Sequence, residues 1–374
     1  MPLALYRRYR PKKLSEVIGQ ETNVQILKNA AKQGKLSHAY LFYGPRGTGK
    51  TTTARLIAKL LNCERRRADK TFAAEGEPCN KCRACNEIDA QNAFDVIEID
   101  AASNRGIDEI RNLKESITVA PAGNPFKVYI IDEAHMLTPP AFNALLKTLE
   151  EPPRHAVIIL ATTEYEKLPP TITSRTQRFH FKKLPKVKIM EKLKKIVADE
   201  RLKIDDDALE LIAAAGEGSF RDAESLLEQA VSWEKGNITL KAVEEITGRV
   251  GLAKVSALSR YVISRDLKKT LSYLRELSDE GNNLVELTKN LIHYLRRVLT
   301  LKLNPALESA YHLELTSDEI KTIKELGGDL DPTDAISLLR SLIRAYGEMR
   351  YSPFALVPLE IALIEQIGKY SSLG

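Results

Sequence analysis

Residues 44–52, GPRGTGKTT, have the types and spacing of a loop that binds the phosphates of a nucleotide. Glycines let backbone N–H groups curl around phosphate oxygens, and the positive end of the following helix dipole attracts the same anion. In such a loop Lys50 reaches the β- and γ-phosphates, and Thr51 is a ligand of Mg²⁺. A glycine-rich turn without nucleotide is the alternative, which the apolar run before the loop and the helical pattern after it disfavour. The predicted contacts are Gly44, Pro45, Arg46, Gly47, Thr48, Gly49, Lys50, Thr51 and Thr52.

Two carboxylates, Asp132 and Glu133, directly follow the apolar run VYII. At the end of a buried strand, Asp132 can support Mg²⁺ and Glu133 can polarise the water that attacks the γ-phosphate. An exposed acidic pair that only begins the next helix is the alternative. Thr163 ends another apolar run and could orient the same water, although a threonine in that place is typical of strands in general.

All four cysteines of the chain lie between residues 63 and 85, after the helical pattern that follows the phosphate loop. Four thiolates suit tetrahedral Zn²⁺ and leave no position open for water, so the pattern predicts a structural zinc site and not a catalytic one. An iron–sulfur cluster uses similar spacing, but the proline that follows a cysteine in bacterial ferredoxins is missing here. Free buried cysteines are the remaining alternative. The predicted ligands are Cys63, Cys79, Cys82 and Cys85.

The stretch GSFRDAESLLEQA at 218–230 predicts a helix with Ser219 as its N-cap and Asp222 three residues further on. Arg221 lies in the first turn of this helix, where the helix dipole disfavours a cation. A nearby anion such as an ATP phosphate explains this arginine better than the dipole does. An ordinary surface ion pair is the alternative.

The elements that position these residues change in type near residue 181. Before it, apolar runs rich in β-branched and aromatic residues alternate with helical patterns, which predicts a parallel sheet covered on both faces. After it, leucine and isoleucine recur at helical spacing. The predicted strands are 39–43, 94–100, 127–131, 156–163 and 178–181.

Length and composition predict a globular protein of more than one domain. The chain has 374 residues, 43% of them hydrophobic, and a formal net charge of +6. No apolar run approaches the roughly 18 residues that cross a bilayer, and the N-terminus lacks the apolar core of a signal peptide, so we expect a cytoplasmic location and no membrane partner. We predict a nucleotide-binding α/β domain at 1–181, a small helical domain at 182–245 and a second helical domain at 246–374.

Six stretches, in this order along the chain, resemble one family: YRPKKLSEVIGQE, HAYLFYGPRGTGKTTTARLIAKLLNC, EIDAASNRGIDEIR, KVYIIDEAHMLTPPAFNALLKTLEEPP, LPPTITSR and GSFRDAESLLEQA. They cover about residues 5–235 and are similar to the bacterial clamp-loader ATPases of the AAA+ class, specifically the gamma/tau subunits of DNA polymerase III. The resemblance implies a P-loop AAA+ domain with a five-stranded parallel sheet and a four-cysteine zinc module inserted at 63–85. It also implies a helical lid domain and an all-α collar domain through which subunits assemble.

The resemblance adds roles within a site that hydrolyses ATP. It implies that Thr163 is a sensor at the fourth strand, Arg221 the lid-domain sensor of bound ATP, and Arg175 an arginine finger in the neighbouring subunit's site. A finger supplied in trans is worth roughly 10³ to 10⁵ in hydrolysis rate, so hydrolysis would depend on assembly. The family usually has a cysteine where this chain has Thr176, but the arginine before it is kept. The implied contacts around the nucleotide base are Arg7, Arg10, Pro11, Val17 and Ile18.

The function implied by the resemblance is that of a motor subunit that uses ATP to open a ring-shaped sliding clamp and load it on primed DNA. The implied partners are other clamp-loader subunits in a pentamer, the sliding clamp, primer-template DNA and the DNA polymerase III core; no polymerase active site is recognised in the chain. The net charge is too mild to argue for nucleic acid by itself, but helix N-termini and an arginine suit contacts to DNA phosphates. The predicted DNA contacts, just before a predicted helix, are Ser103, Asn104 and Arg105.

Two rival interpretations remain. Residues 132–135 spell Asp-Glu-Ala-His, as in one class of helicases, but such an enzyme needs a second α/β motor domain and the sequence after residue 181 is helical in pattern. The other rival is a structural subunit of the same assembly that does not hydrolyse ATP. Such a subunit should have lost phosphate-binding or water-activating residues, whereas Lys50, Thr51, Asp132 and Glu133 are all present.

Overall fold

The computed structural model of the protein describes residues 4–103, 113, 115–234, 236–247, 251–311, 315 and 317–368. The chain divides into two compact units. The first comprises Met1–Leu184 together with Gly218–Arg221, and the second comprises Pro185–Glu217 and Asp222–Gly374.

A five-stranded sheet in the order β2-β3-β4-β1-β5 organises the first unit, and every neighbouring pair of its strands is parallel. This confirms the predicted five-stranded parallel sheet. The register aligns Asp100 with Asp132, and Tyr43 with Thr162, so the carboxyl ends of neighbouring strands lie at one edge. The strands are β1 (Ala39–Tyr43), β2 (Val96–Asp100), β3 (Lys127–Asp132), β4 (Ala156–Thr162) and β5 (Gln177–His180).

Helices cover both faces of this sheet. Along β1, Tyr40 and Phe42 pack into one buried cluster with Ile57, whereas Leu41 packs into a second cluster with Leu145 on the opposite face. The helices are α1 (Leu5–Arg8), α2 (Glu21–Lys32), α3 (Lys50–Asn62), α4 (Glu64–Ala68), α5 (Lys70–Ala73), α6 (Arg83–Asp89), α7 (Pro139–Glu150) and α8 (Pro170–Thr173). Three 3₁₀ turns are Leu14–Glu16, Ala134–Met136 and Tyr165–Lys167, and residues 115–118 are also helical.

The second unit is built almost entirely of helices. The sequence predicted only helices after residue 181, but Lys203–Ile204 (β6) and Asn237–Ile238 (β7) pair as two short parallel strands. A pair of two-residue strands is too short to leave a periodic pattern in the sequence. The helices are α9 (Lys186–Asp199), α10 (Asp206–Ala215), α11 (Phe220–Trp233), α12 (Leu240–Thr247), α13 (Leu252–Ile263), α14 (Leu267–Asp279), α15 (Leu284–Leu303), α16 (Glu308–Tyr311), α17 (Ser317–Asp329), α18 (Pro332–Met349) and α19 (Leu356–Ile367), with a 3₁₀ turn at Pro305–Leu307.

A single buried cluster joins the helices from α13 onward, with the long α15 at its centre. Leu287, Leu291 and Leu295 of α15 pack there with Leu342 of α18 and Leu363 of α19. The predicted boundary near 245 stays a prediction. Among the helices that the structure describes, none is long and apolar enough to cross a membrane.

Strand β2 begins two residues later than the predicted strand 94–100 because the Asp95 side chain closes a loop. Its Oδ1 accepts the Ala122 N–H at 2.8 Å, and its Oδ2 accepts the Gly123 and Asn124 N–H groups at 3.0 and 2.9 Å. Burial raises the pKa of Asp95, but these backbone hydrogen bonds and one from the Asn124 side chain outweigh burial and hold the pKa below its usual value.

We predict that Asp95→Asn lowers the free energy of unfolding by about 2 kcal/mol at pH 7, because buried N–H groups lose a charged acceptor. A carboxylate with a depressed folded-state pKa contributes stability above its unfolded pKa of about 3.9 and loses it as the pH falls. The difference between wild type and variant should therefore narrow in acid. Urea denaturation at pH 7 and in mild acid measures it, with the exposed Glu75→Gln as control. Equal stability of the two proteins at pH 7 would contradict the role given to Asp95.

Candidate functional site

The predicted phosphate-binding motif lies between the carboxyl end of β1 and the N-terminus of α3. Its glycines are required by the backbone and by close neighbours. Gly44 has φ +140° and a Cβ there would lie 2.0 Å from the Phe181 carbonyl oxygen; Gly47 has φ +72° and a Cβ there would lie 1.8 Å from Ser219 Oγ. The loop is thus held at the start of a long helix, the geometry in which backbone N–H groups bind an anion.

Lys50, the first residue of α3, directs its ammonium into this loop. Its Nζ donates to the carbonyl oxygens of Gly44 and Pro45, each at 2.8 Å, and only 6% of the residue is exposed. Burial lowers the pKa of Lys50, while the carboxylates of Glu133 and Asp132 act in the opposite direction. A phosphate in the loop would supply the negative charge that this buried ammonium lacks.

Thr51 and Asp132 lie next to each other across the strand edge. The Thr51 hydroxyl donates to Asp132 Oδ2 at 2.7 Å, and the other oxygen of the same carboxylate accepts the Glu133 N–H at 3.0 Å. Mg²⁺ prefers a few hard oxygen ligands beside phosphate oxygens, and a hydroxyl with a neighbouring carboxylate supplies them. This donor set therefore fits a magnesium ion held beside the loop.

The carboxylate of Glu133 is bonded to the neighbouring strand. Glu133 has φ +48°, a left-handed conformation that is uncommon outside glycine, and its Oε2 accepts the Thr163 hydroxyl at 2.9 Å and the Thr163 N–H at 3.3 Å. The predicted water-polarising residue and the predicted strand-end threonine thus form a direct pair. Strain at such a residue persists only where the surroundings fix it, and here a hydrogen bond from the end of β4 fixes it.

Sequence reasoning missed two residues beside this pair, His135 and Thr162. His135 Nδ1 lies 2.9 Å from Thr162 Oγ1 and 3.4 Å from Glu133 Oε2, and its Nε2 lies 3.2 Å from Glu164 Oε1. The imidazole of His135 therefore links the turn after β3 to the residues at the end of β4. The Asp-Glu-Ala-His motif was the available signal, but it pointed only to a helicase.

The N-terminal residues bring a group of arginines together. The Arg221 guanidinium lies over the Tyr6 ring, 5.3 Å from its centroid. Burial lowers the pKa of Arg10 to about 10, with the charges of Arg55, Arg221 and Arg7 acting in the same direction. Arg55, which sequence reasoning did not single out, pairs with Glu98 of β2.

Like charges held together in this way are offset most readily by an anion between them. Of the other predicted base contacts, Val17 is buried and its Cγ1 lies 3.8 Å from where a Cβ of Gly49 would stand, whereas Pro11 and Ile18 are half-buried. Segment 14–18 therefore passes over the phosphate-binding loop.

Arg175 lies just after α8, and its hydrogen-bond partners are not the groups described above. Its Nε donates to Glu150 Oε1 at 2.7 Å, and its Nη1 donates to the Thr171 carbonyl at 2.9 Å. About a third of its side chain is exposed, at 35%. The Thr176 hydroxyl donates to the carbonyl oxygens of Ile172 and Thr173 at 3.2 and 3.3 Å. Thr176, which stands where the family usually has a cysteine, therefore has hydrogen-bond partners at the end of α8.

The four cysteine sulfurs all lie within 4.8 Å of one another, with Cys63 at the end of α3 and Cys85 in α6. Backbone N–H groups point at the sulfurs: Cys79 N lies 3.4 Å from Cys63 Sγ, and Cys82 N lies 3.3 Å from Cys79 Sγ. A hydrogen bond from Cys85, then backbone N–H groups, lower the pKa of Cys63 to about 4 against the effect of burial. Four converging sulfurs with N–H donors fit a tetrahedral Zn²⁺.

The predicted DNA contacts fall mostly outside the described part of the chain. Ser103 is exposed after β2 and donates its hydroxyl to Asp100 Oδ2 at 3.0 Å. Asn104 and Arg105 lie outside the described residues.

Three family models match successive parts of the chain. Residues 19–185 match a family described as DNA polymerase III, delta subunit, and residues 188–236 match the ATPase lid domain of the DNA polymerase III clamp loader subunit. Residues 238–371 match domain III of DNA polymerase III subunits gamma and tau.

Curated relatives extend the similarity over nearly the whole chain. The chain is 42% identical over 362 residues to DNA polymerase III subunit tau of Bacillus subtilis, covering 97% of this chain and 62% of that protein. It is 37% identical to subunit tau of Escherichia coli, covering 97% and 55%, and 38% identical to subunit gamma of Buchnera aphidicola subsp. Schizaphis graminum, covering 97% of both chains. The chain thus spans little more than half of the tau relatives and almost all of this gamma relative.

Solved structures are more distant. The Bacillus subtilis DNA clamp loader delta protein matches with a TM-score of 0.41 and 13% identity, covering 92% of this chain and 99% of that one. The Thermotoga maritima RuvB Holliday junction branch migration motor matches with a TM-score of 0.46 and 20% identity, covering 68% and 79%. At these scores neither structure bears on the roles of individual residues.

We predict that the purified protein contains about one zinc ion per chain, because the four cysteine sulfurs lie close enough together to bind one tetrahedral ion. Cys82→Ser should lose most of this zinc and lower the thermal midpoint, since a structural site contributes folding free energy directly. Metal analysis and a melting curve measure both. His155→Gln, a substitution of another metal-ligand residue type outside the cluster, should keep its zinc. Iron in place of zinc, or a metal-free protein with an unchanged melting point, would contradict the prediction.

Proposed function

The chain belongs to the family of gamma and tau subunits of DNA polymerase III, and from this premise we propose that it is an ATP-hydrolysing clamp-loader subunit. It would bind and hydrolyse ATP to open the sliding clamp and load it on primed DNA during replication. The observation that carries the proposal is the pairing of Thr51 with Asp132 at 2.7 Å beside the Lys50 ammonium. The groups proposed to bind phosphate, hold the metal and activate water thereby lie at one sheet edge, where open α/β sheets bind their ligands.

In this proposal the backbone of residues 44–52 binds the triphosphate, and Lys50 exchanges two carbonyl acceptors of its own loop for β- and γ-phosphate oxygens. Thr51 and Asp132 would hold Mg²⁺, which neutralises charge that develops on the phosphates. Because these groups are already in place, little reorganisation would be needed when ATP binds.

Glu133 would polarise the attacking water. Thr163, by its hydrogen bond to Glu133, would determine when the Glu133 carboxylate is available to do this. In the structure Glu133 Oε2 accepts the Thr163 hydroxyl, so that oxygen already has a hydrogen-bond partner. A γ-phosphate near the end of β4 would offer Thr163 a more strongly charged acceptor and release Glu133 toward water. His135, which contacts Thr162 and Glu164, would help to orient Glu133, whose Oε2 lies 3.4 Å from His135 Nδ1.

Arg175 would complete the site of a neighbouring subunit rather than its own. The contacts of its guanidinium are with Glu150 and the end of α8, at the protein surface. Arg221 and Arg10 belong instead to the chain's own nucleotide site in this proposal, where the phosphates would offset their mutual repulsion. Hydrolysis would then require two chains in contact.

The second unit would serve the assembly. We assign 182–245 to the lid and 246–374 to the collar, and the helices α18 and α19 support this because they expose large apolar side chains in a row. Such faces on a folded protein typically mark contact surfaces. The exposed side chains are Ile336, Ile343, Val357, Ile361 and Ile364. Other clamp-loader subunits in a pentamer, the sliding clamp, primer-template DNA and the DNA polymerase III core are the proposed partners.

A helicase is the less well supported alternative. It needs a second α/β motor domain, whereas the described residues after Leu184 form helices apart from the short pair β6 and β7. The proposed location remains cytoplasmic.

We predict that Lys50→Ala and Glu133→Gln each lower ATP turnover at least about 100-fold, through lost phosphate binding and lost water activation respectively. Turnover is measured for the chain assembled with its partner subunits, clamp and primed DNA. Lys35→Ala, at an exposed lysine outside the site, should leave it unchanged. Glu133→Gln should still bind ATP, and retained turnover in either variant would overturn the proposal.

We predict that Arg175→Ala lowers turnover by roughly 10³-fold or more while ATP still binds, because the arginine acts on a neighbour's site. The exposed Arg154→Ala serves as the matched control. Full ATP turnover by Arg175→Ala would exclude a role of Arg175 as an arginine finger.

We predict that Arg105→Ala weakens stimulation of ATP turnover by DNA and spares basal turnover, since contacts to phosphates position DNA without taking part in hydrolysis. Turnover with and without primed DNA measures the two rates. Equal loss of both would contradict a DNA contact at this residue.

A further inference from the structure

Glu77, two residues before the cluster cysteine Cys79, is a buried carboxylate that bonds to a distant segment of the chain. It is 5% exposed. Its Oε2 accepts the Leu14 N–H at 2.7 Å, its Oε1 accepts the Ser15 N–H at 3.0 Å, and the Lys28 ammonium lies 3.1 Å from Oε1. Hydrogen bonds from backbone N–H groups to an ionised carboxylate are among the stronger ones in proteins.

The segment that Glu77 holds passes over the phosphate-binding loop. Leu14 begins a 3₁₀ turn that ends at Glu16, and Val17 follows with its Cγ1 3.8 Å from where a Cβ of Gly49 would stand. The far end is also fixed, because Gln20 donates to the Lys182 carbonyl at 2.9 Å and accepts the Lys182 N–H at 3.1 Å. Val17 is thus positioned by two anchors, one of which is Glu77.

The cysteine-containing insertion in turn keeps Glu77 in place. The Arg66 guanidinium donates to the carbonyls of Ala31 at 2.9 Å and Ala73 at 3.0 Å, which ties the insertion to α2. Gly76 fits against α2 so closely that a Cβ would lie 2.8 Å from the Lys28 carbonyl oxygen. Cys79 then draws the following backbone into the sulfur cluster.

We propose that Glu77 is a positioning residue for nucleotide binding, through which the cysteine insertion holds segment 14–18 over the phosphate-binding loop. The proposal rests on the proposed function, since it concerns the same ATP site. It separates the site into two parts. Recognition of the triphosphate would depend on the loop and α3. Recognition of the nucleoside part would depend on segment 14–18, where the resemblance implies base contacts at Val17 and Ile18, and therefore on the insertion.

The separation gives the proposal a specific signature. Loss of Glu77 should weaken ATP binding, but it should leave binding of inorganic tripolyphosphate nearly unchanged, because that ligand has no nucleoside. A merely destabilised protein would lose affinity for both ligands. The amide protons of Leu14 and Ser15 should also exchange faster with solvent when their acceptor is removed.

The experiment compares wild type, Glu77→Ala, Glu77→Gln and the control Glu75→Ala, whose carboxylate is exposed in the same insertion. Calorimetry with Mg²⁺ gives the Kd of ATP and of inorganic tripolyphosphate, and amide exchange by mass spectrometry covers residues 14–18. We expect Glu77→Ala to raise the Kd of ATP by about tenfold or more, as loss of a charged buried acceptor implies. Glu77→Gln keeps one carbonyl acceptor and should lie between wild type and Glu77→Ala.

Removal of zinc with a chelator should reproduce the same signature in the wild type, since the cluster fixes the backbone near Glu77. In Glu77→Ala the chelator should raise the Kd of ATP little further. Both changes break the same connection between the cysteine insertion and segment 14–18, so their effects are not additive. Amide exchange at residues 14–18 should follow the same pattern, which gives a readout independent of activity.

An unchanged Kd of ATP in folded Glu77→Ala would overturn the inference and leave the proposed function intact. Equal weakening of ATP and tripolyphosphate would also overturn it, because the loop itself would then be affected. A wild-type chain that binds no ATP would instead overturn the proposed function and the inference with it.

Discussion

The hydrogen bond from Thr51 to Asp132 joins two segments of the chain that are 81 residues apart, and the proposed nucleotide site depends on it. It forms because the parallel strands β1 and β3 end at one edge of the sheet, with only β4 between them. The loop at 44–49 leads from the end of β1 into α3, so the Thr51 hydroxyl in the first turn of α3 meets the carboxylate that ends β3. A different strand order would separate the predicted phosphate-binding loop from the acidic pair.

Contacts around this edge hold the remaining groups. Thr163 at the end of β4 bonds Glu133, and segment 14–18 covers the loop because Glu77 and Gln20 hold its two ends. The cysteine insertion, which the sequence presents as a separate metal module, is thereby connected to the nucleotide site through backbone hydrogen bonds. The proposed metal module and the proposed nucleotide site are therefore less independent than their order along the chain implies.

Local sequence motifs predicted much of the fold of the first unit and of the candidate site. The phosphate loop, the acidic pair and the cysteines are contiguous patterns, and the apolar runs predicted five strands within two residues of their observed bounds. What the sequence could not reveal depends on contacts between distant segments. Glu77 has the sequence context of a solvated loop residue until Leu14 is known to lie beside it. The partners of Arg55 and Asp95 also lie in distant segments, which neither a helical nor a strand pattern reveals. The strands β6 and β7 were missed because two residues are too few for a periodic pattern.

We propose above all that Thr51 and Asp132 hold Mg²⁺ beside a bound triphosphate. The most direct test is the Mg²⁺ dependence of ATP affinity, measured by calorimetry for wild type and Thr51→Val, which keeps the side-chain shape and removes the hydroxyl. We expect Mg²⁺ to strengthen ATP binding to the wild type and most of this gain to disappear in Thr51→Val. An equal gain in both proteins would contradict it.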